Sequence, residues 1–160
     1  MRLGEVGHFS KNDEYITPFE AWAQIEKFIP KNLTIWEPFY AEGSSGINLQ
    51  QLGFTVIHNN EDFFQHNHGD IIVTNPPFSK KKEVLARLKE LNKPFILLAP
   101  SFMLPSRYFQ KYFKENIGII VPSKRIEFLQ VSPTGLVSAG RPSFDCLYFC
   151  WKIFEGVQFI

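Results

Sequence analysis

The chain has 160 residues, a formal net charge of +1, 44% apolar and 21% charged residues. That is the balance of one soluble globular domain over residues 1–160, and it excludes a disordered tail or a collagen-like chain. So low a charge also excludes a protein that holds nucleic acid by bulk electrostatics, leaving a local basic patch or an aromatic pocket. No run approaches the roughly 18 apolar residues of a membrane helix. Residues 1–12 read as a flexible polar arm without the apolar region of a signal peptide, and a cytoplasmic protein is expected. Cys146 and Cys150 sit in an apolar run and read as buried thiols rather than a disulfide framework. The unusual numbers are 17 Phe and 11 Pro.

In chain order, Thr17-Pro18-Phe19-Glu20 reads as a capping box with Pro at the first helical position, opening a helix that runs to Pro30. Residues 33–38 read as a short buried strand, residues 41–46 as a small-residue turn, and residues 47–52 as a helix stopped by Gly53. Residues 54–58 form a second strand with a polar end at 59–62. Residues 70–74 are the clearest strand, and Asn75-Pro76-Pro77-Phe78 must end it, since two prolines cannot continue a central strand. Ser79 can cap the next helix, 80–92, with Val84, Leu85, Leu88 and Leu91 on one face. A strand at 95–99, a helix at 106–116, a strand at 117–121, a Gly/Ser/Pro-rich loop at 130–143 and a long apolar strand at 144–154 complete the chain. Strands alternating with helices predict an α/β domain with a mostly parallel central sheet, and in such sheets ligands sit at the carboxyl ends of the strands. Three polar clusters fall there: residues 37–43, 59–62 and 75–78.

The Asn75-Pro76-Pro77-Phe78 box suits a planar group bearing an NH2. The Asn75 side chain and the Pro76 carbonyl are acceptors, proline fixes where they point, and Phe78 offers a flat apolar face for stacking. Two acceptors on one amine raise its electron density and favour its passage toward tetrahedral geometry as it attacks. Proximity and orientation then supply the rest, with no general base required.

This box resembles the catalytic motif of the S-adenosylmethionine-dependent amino-methyltransferases. Trp36-Glu37-Pro38-Phe39-Tyr40-Ala41-Glu42-Gly43 is similar to their cofactor motif, Asp13-Glu14-Tyr15-Ile16-Thr17-Pro18 to the N-terminal Thr-Pro motif of N6-adenine methyltransferases, and Asp62-Phe63-Phe64 to a further cofactor motif. Lys124-Arg125-Ile126-Glu127-Phe128 with Ser143-Phe144-Asp145 resembles a late stretch of small phage and viral adenine methyltransferases. The resemblance spans residues 13–153. It implies a Rossmann-like class I methyltransferase fold, a mostly parallel sheet flanked by helices with an antiparallel C-terminal strand. The implied cofactor is S-adenosylmethionine, and the implied location is the cytoplasm, or the host cytoplasm or nucleus for a viral protein.

The implied cofactor residues are Tyr15, Thr17, Pro18, Glu37, Pro38, Phe39, Ala41, Gly43, Asn60, Asp62 and Phe63. Tyr15, Thr17 and Pro18 lie near the methionine end, Glu37 binds the amino group, and Gly43 lets the backbone approach. Asp62 accepts from the cofactor's adenine amine, and Phe63 packs on its ring. Asn75, Pro76, Pro77 and Phe78 are the implied catalytic box. Two positions depart from the family pattern. Ala41 stands where a Gly is usual, and Asn60 where an acidic residue holds the ribose, with Glu61 the neighbouring candidate.

Lys80, Lys81 and Lys82 occupy the first turn of a helix, where cations oppose the macrodipole. With Arg125 and Arg141, and Lys111, Lys114 and Lys124 in extension, they read as a phosphate-contacting patch. His58, His66 and His68 lack a Cys or acidic partner at metal-ligand spacing and predict no metal. Most Phe must be core, with Phe39, Phe63 and Phe78 placed for ligand contact. The predicted function is methyl transfer to adenine N6 in DNA, with RNA as the alternative nucleic acid. The chain has no room for a separate target-recognition domain, which predicts low sequence specificity, a single-stranded substrate or a protein partner that presents the target. The same chemistry on protein glutamine or guanine N2, and a degenerate module that only binds, remain the alternative readings. No membrane partner is expected.

Overall fold

The computed structural model describes residues 15–140 and 142–160. The arm at 1–12, Asp13, Glu14 and Arg141 lie outside the described residues. Seven strands form one sheet in the order β2-β1-β3-β4-β8-β5-β9. They are β1 (Thr34–Trp36), β2 (Thr55–Ile57), β3 (Ile71–Thr74), β4 (Phe95–Pro100), β5 (Ile117–Val121), β8 (Cys146–Trp151) and β9 (Gly156–Phe159). β2, β1, β3 and β4 pair in parallel, β8 runs antiparallel between β4 and β5, and β9 adds in parallel outside β5. The order reverses between β1 and β3, so the crevice beyond their carboxyl ends is the topological switch point of the sheet.

Side-chain alternation splits the core into two layers. Ile35, Ile71, Val73, Ile96, Leu98, Cys146, Tyr148 and Cys150 face α1 (Phe19–Ala23) and α2 (Ser44–Gln51), which contribute Ala21, Trp22 and Leu49. Trp36, Ile72, Phe95, Leu97, Phe149 and Trp151 face α3 (Lys81–Leu91) and the short α4 (Arg107–Gln110), which contribute Val84, Leu85, Leu88 and Phe109. Six phenylalanines are fully buried in this second layer or within a few per cent of it, which accounts for much of the Phe excess. Both cysteines are buried on one face of β8, and burial pushes each thiol up to about 12, so neither is a nucleophile. Among the described residues, no helix is long and apolar enough to cross a membrane.

Several elements differ from the sequence reading. The helix expected up to Pro30 stops at Ala23, and a separate 3-10 turn follows at Glu26–Phe28. Ser79 lies inside a 3-10 turn, Phe78–Lys80, so α3 begins at Lys81 with no side-chain cap. The helix expected over 106–116 is one turn, capped by the Ser106 hydroxyl accepting from the Phe109 N–H. The expected loop at 130–143 holds a hairpin of β6 (Leu129–Ser132) and β7 (Gly135–Ser138). The long final strand ends at Trp151, and β9 follows it, so the antiparallel strand sits inside the sheet instead of closing the chain.

Candidate active site

The switch-point crevice is lined from β1, β3 and the segment before α1. β1 ends at Trp36, and Glu37 follows, 2% exposed. The Glu37 carboxylate accepts from the Thr74 hydroxyl at the end of β3 and from the Phe39 N–H at 2.9 Å. Burial nonetheless pushes its carboxyl up to about 8, because two hydrogen bonds do not replace lost hydration. A carboxylate in this setting fits a ligand that brings a positive charge to it.

Asn75 follows β3. Its amide Nδ2 donates to the Thr17 hydroxyl at 3.0 Å, across 58 residues of sequence. Among the described residues, its carbonyl Oδ1 is buried with no hydrogen-bond partner. An orphaned buried acceptor costs about 1–3 kcal/mol, so the position is built for an incoming N–H or O–H donor. Thr17 thus does different work from the helix cap that its sequence context predicts. The residue at the start of α1 is Pro18, with no side-chain cap bond, and the 3%-exposed Thr17 hydroxyl serves Asn75 instead. The backbone of Ile16 pairs with Leu129 through two bonds of 2.8 Å, which fixes Thr17 in place. Tyr15 stacks on Phe128 at 5.4 Å and meets Phe144 edge-on at 6.3 Å.

The turn from β1 to α2 carries the predicted small-residue positions. Ala41 has φ +50° and Gly43 φ +95°. The first is a left-handed backbone that glycine adopts without strain, so Ala41 occupies a true glycine position at a cost of about 1 kcal/mol. A Cβ on Gly43 would lie 3.0 Å from the Tyr40 hydroxyl. Glu42 accepts from the Ser44 N–H at 3.1 Å and from its hydroxyl, tying the turn to the start of α2.

The third cluster departs further from expectation. Asp62 accepts from the Phe64 N–H at 2.9 Å, closing its own turn. Phe63 is fully buried against Trp36 and Phe39, and Phe39 is 6% exposed, so both rings belong to the core and present no open face to a ligand. Asn60 is exposed. Glu61 accepts from His68 at 3.0 Å and lies 3.5 Å from His66, so these histidines do have an acidic neighbour. Even so, no cluster of His, Cys, Asp or Glu among the described residues is able to hold a metal ion. His58 is a half-buried strand-end residue, directly after β2. Burial lowers its pKa, and its Nδ1 bonds the Glu37 carbonyl at 2.7 Å.

The basic patch is smaller than the sequence suggests. Lys80, Lys81 and Lys82 follow Phe78 after one intervening residue, Ser79. Arg125 is committed elsewhere, its Nε donating to Asp145 at 2.8 Å and its Nη1 to the Pro142 carbonyl at 3.3 Å. Lys111 and Lys114 lie near Trp151, at the amino end of β4, opposite the site. Two residues that the sequence reading did not select belong here: Thr74, bonded to Glu37, and Phe144, 5.2 Å edge-on from Phe78. Thr74 had a signal, a polar residue ending an apolar strand just before the proline box. Phe144 had none.

No protein-family model matches the chain, and no curated protein matches it. Among solved structures it is similar to precorrin-6y C5,15-methyltransferase from Geobacter metallireducens, with 12% identity, a TM-score of 0.51, and coverage of 94% of this chain and 95% of that one. It is also similar to precorrin 8w decarboxylase from Methanobacterium thermoautotrophicum, with 15% identity, a TM-score of 0.48, and coverage of 89% and 95%. The first similarity and the strand order together give the fold: this is a Rossmann-like class I methyltransferase fold.

Proposed function

We propose that the chain transfers a methyl group from S-adenosylmethionine to the exocyclic N6 amine of adenine in DNA or RNA, on a base that is flipped or unpaired. The observation that carries this reading is the buried Asn75 carbonyl, without a partner among the described residues, beside the half-buried Phe78 ring. An aromatic amine stacked on a ring supplies the missing donor and the apolar face together. The methyltransferase among the similar structures supports methyl transfer in general. The donor set also fits the cofactor, because Glu37 is a fully buried carboxyl whose charge burial disfavours until a cationic ligand group meets it, and the turn beside it carries left-handed backbone at Ala41 and Gly43.

When bound, S-adenosylmethionine supplies a methyl group on a cationic sulfur, so an N–C bond forms as an S–C bond breaks and a neutral thioether leaves. Glu37 receives the ammonium of the methionine end. Asn75 Oδ1 and the Pro76 carbonyl accept the two hydrogens of the adenine amine, and Thr17 keeps the Asn75 amide from turning. Phe78 stacks the base. The amine proton becomes acidic as the bond forms and passes to water. The protein's work is therefore orientation and desolvation, and it asks no side chain to act as a general base.

The test supplies labelled S-adenosylmethionine with single-stranded DNA, duplex DNA and RNA, then digests the products for mass spectrometry. N6-methyladenine in the DNA or RNA arm is the expected product. Label confined to guanine N2, to protein glutamine, or to nothing overturns the reading.

A further inference from the structure

Three rings meet where β3, β4 and β8 converge. Phe78 follows β3, Phe102 follows β4, and Phe144 precedes β8. Phe144 packs edge-on against both, with centroids 5.2 Å from Phe78 and 6.2 Å from Phe102. Phe102 is 51% exposed. It is not a loose loop residue, because it sits in the 3-10 turn Ser101–Met103, pinned by Ser101 N–H donating to the Asp145 carbonyl at 2.8 Å, with Met103 buried beside it. A fixed turn therefore holds a large ring in water, one ring away from the target-base platform.

The cations are placed to match. Lys81 Nζ lies 5.2 Å from the Phe102 centroid and 5.8 Å from that of Tyr108, and Lys82 Nζ lies 5.8 Å from Tyr108. Both lysines stand in the first turn of α3, where a positive charge is opposed by the helix dipole and an anion relieves it. An exposed ring flanked by ammonium groups suits one kind of ligand well: a base that stacks and a phosphate that pairs.

We infer that Phe102, with Lys81 and Lys82, seats the nucleotide next to the target adenine, so that the substrate is a single-stranded or locally unpaired polynucleotide. This rests on the adenine reading for the identity of the neighbouring base. In a duplex the flanking base is stacked and paired, and freeing its face costs a few kcal/mol, whereas a single strand offers it at little cost. The two lysines contact phosphate, and Phe102 supplies sequence-tolerant stacking.

Fluorescence anisotropy with labelled strands of about 12 nucleotides tests this, using single-stranded DNA, RNA of the same sequence and duplex DNA. The single strand binds more tightly than the duplex, and the DNA and RNA arms assign the sugar. Phe102→Ala weakens single-strand binding about tenfold or more, the size of one lost stacking contact, and Phe102→Tyr restores it. Phe102→Ala also lowers the ratio of kcat/KM on the oligonucleotide to kcat/KM on adenosine monophosphate. Unchanged anisotropy in Phe102→Ala, tighter binding of the duplex, or an equal loss on both substrates overturns the inference. A wild-type protein that binds the single strand through Phe102 but methylates no adenine overturns the function and leaves the seat standing.

Discussion

Replacing Glu37 by Gln separates the charge of the site from its shape. Burial lifts this carboxyl from 4.5 to about 8, against the pull of the Thr74 and Phe39 hydrogen bonds. At pH 7 the free protein therefore carries it protonated in about nine molecules of ten. The folded state holds a proton there that the unfolded state has released between pH 4.5 and 8. Stability accordingly falls as pH rises through that window and levels off above it. The fall is on the order of 3–5 kcal/mol. Gln cannot ionise, so Glu37→Gln should match the wild type near pH 5 and exceed it at pH 8.5, by about 10 °C in Tm for a domain of this size. Cofactor binding shows the opposite preference. A ligand cation draws the proton off Glu37, so the wild type should release a proton on binding S-adenosylmethionine and bind more tightly from about pH 6 to 7.5. The Gln variant should release none and bind at least about tenfold more weakly. Thermal unfolding across pH, with titration calorimetry in two buffers of different ionisation heat, measures both. Parallel Tm profiles for the two proteins, or wild-type binding without proton release, would refute the reasoning.

Ala41→Gly removes a left-handed alanine at φ +50°; it should raise Tm by about 2–4 °C, the effect of about 1 kcal/mol, and an unchanged or lower Tm counts against strain at this turn. Thr17→Val takes away the acceptor for the Asn75 amide at 3.0 Å. It should lower kcat about 10–100-fold with little change in KM for S-adenosylmethionine, and Thr17→Ser should recover most of the loss. Full turnover in the Val variant would show that Asn75 is positioned by something else.

What the sequence revealed and what it hid have separate physical causes. β3, α3 and β5 were legible because an apolar run bounded by prolines, or an apolar stripe at helical spacing, admits few other readings. The crevice was legible because three polar clusters fell at strand ends. The helix-cap reading of Thr17 failed because Thr-Pro-x-Glu satisfies the local rules of a cap, and only a partner 58 residues away shows the hydroxyl in other use; the family resemblance had already placed Thr17 in the site. The hairpin of β6 and β7 read as loop because its Ser-Pro-Thr-Gly turn dominates the composition and its outer positions, such as the 65%-exposed Val131, bury little. β9 escaped notice because all four of its residues are exposed, so no alternation marks it. Phe39 and Phe63 looked like ligand contacts from their place beside the polar clusters. Phe63 packs against Trp36 and Phe39 against Phe63, which takes both into the core. Ala41 was legible as a departure from the Gly pattern, and its positive φ now gives that departure a cost.

The most direct test of the central claim compares the wild type with Asn75→Ala in a single turnover on a single-stranded oligonucleotide containing one adenine, with the methylated nucleoside identified by mass spectrometry. The expected result is N6-methyladenine from the wild type and a rate lower by about 10²–10³-fold in the variant, the loss typical of one preorganised hydrogen-bonding group at a reacting centre. A variant within tenfold of the wild type, or a methyl group found anywhere but adenine N6, would contradict it.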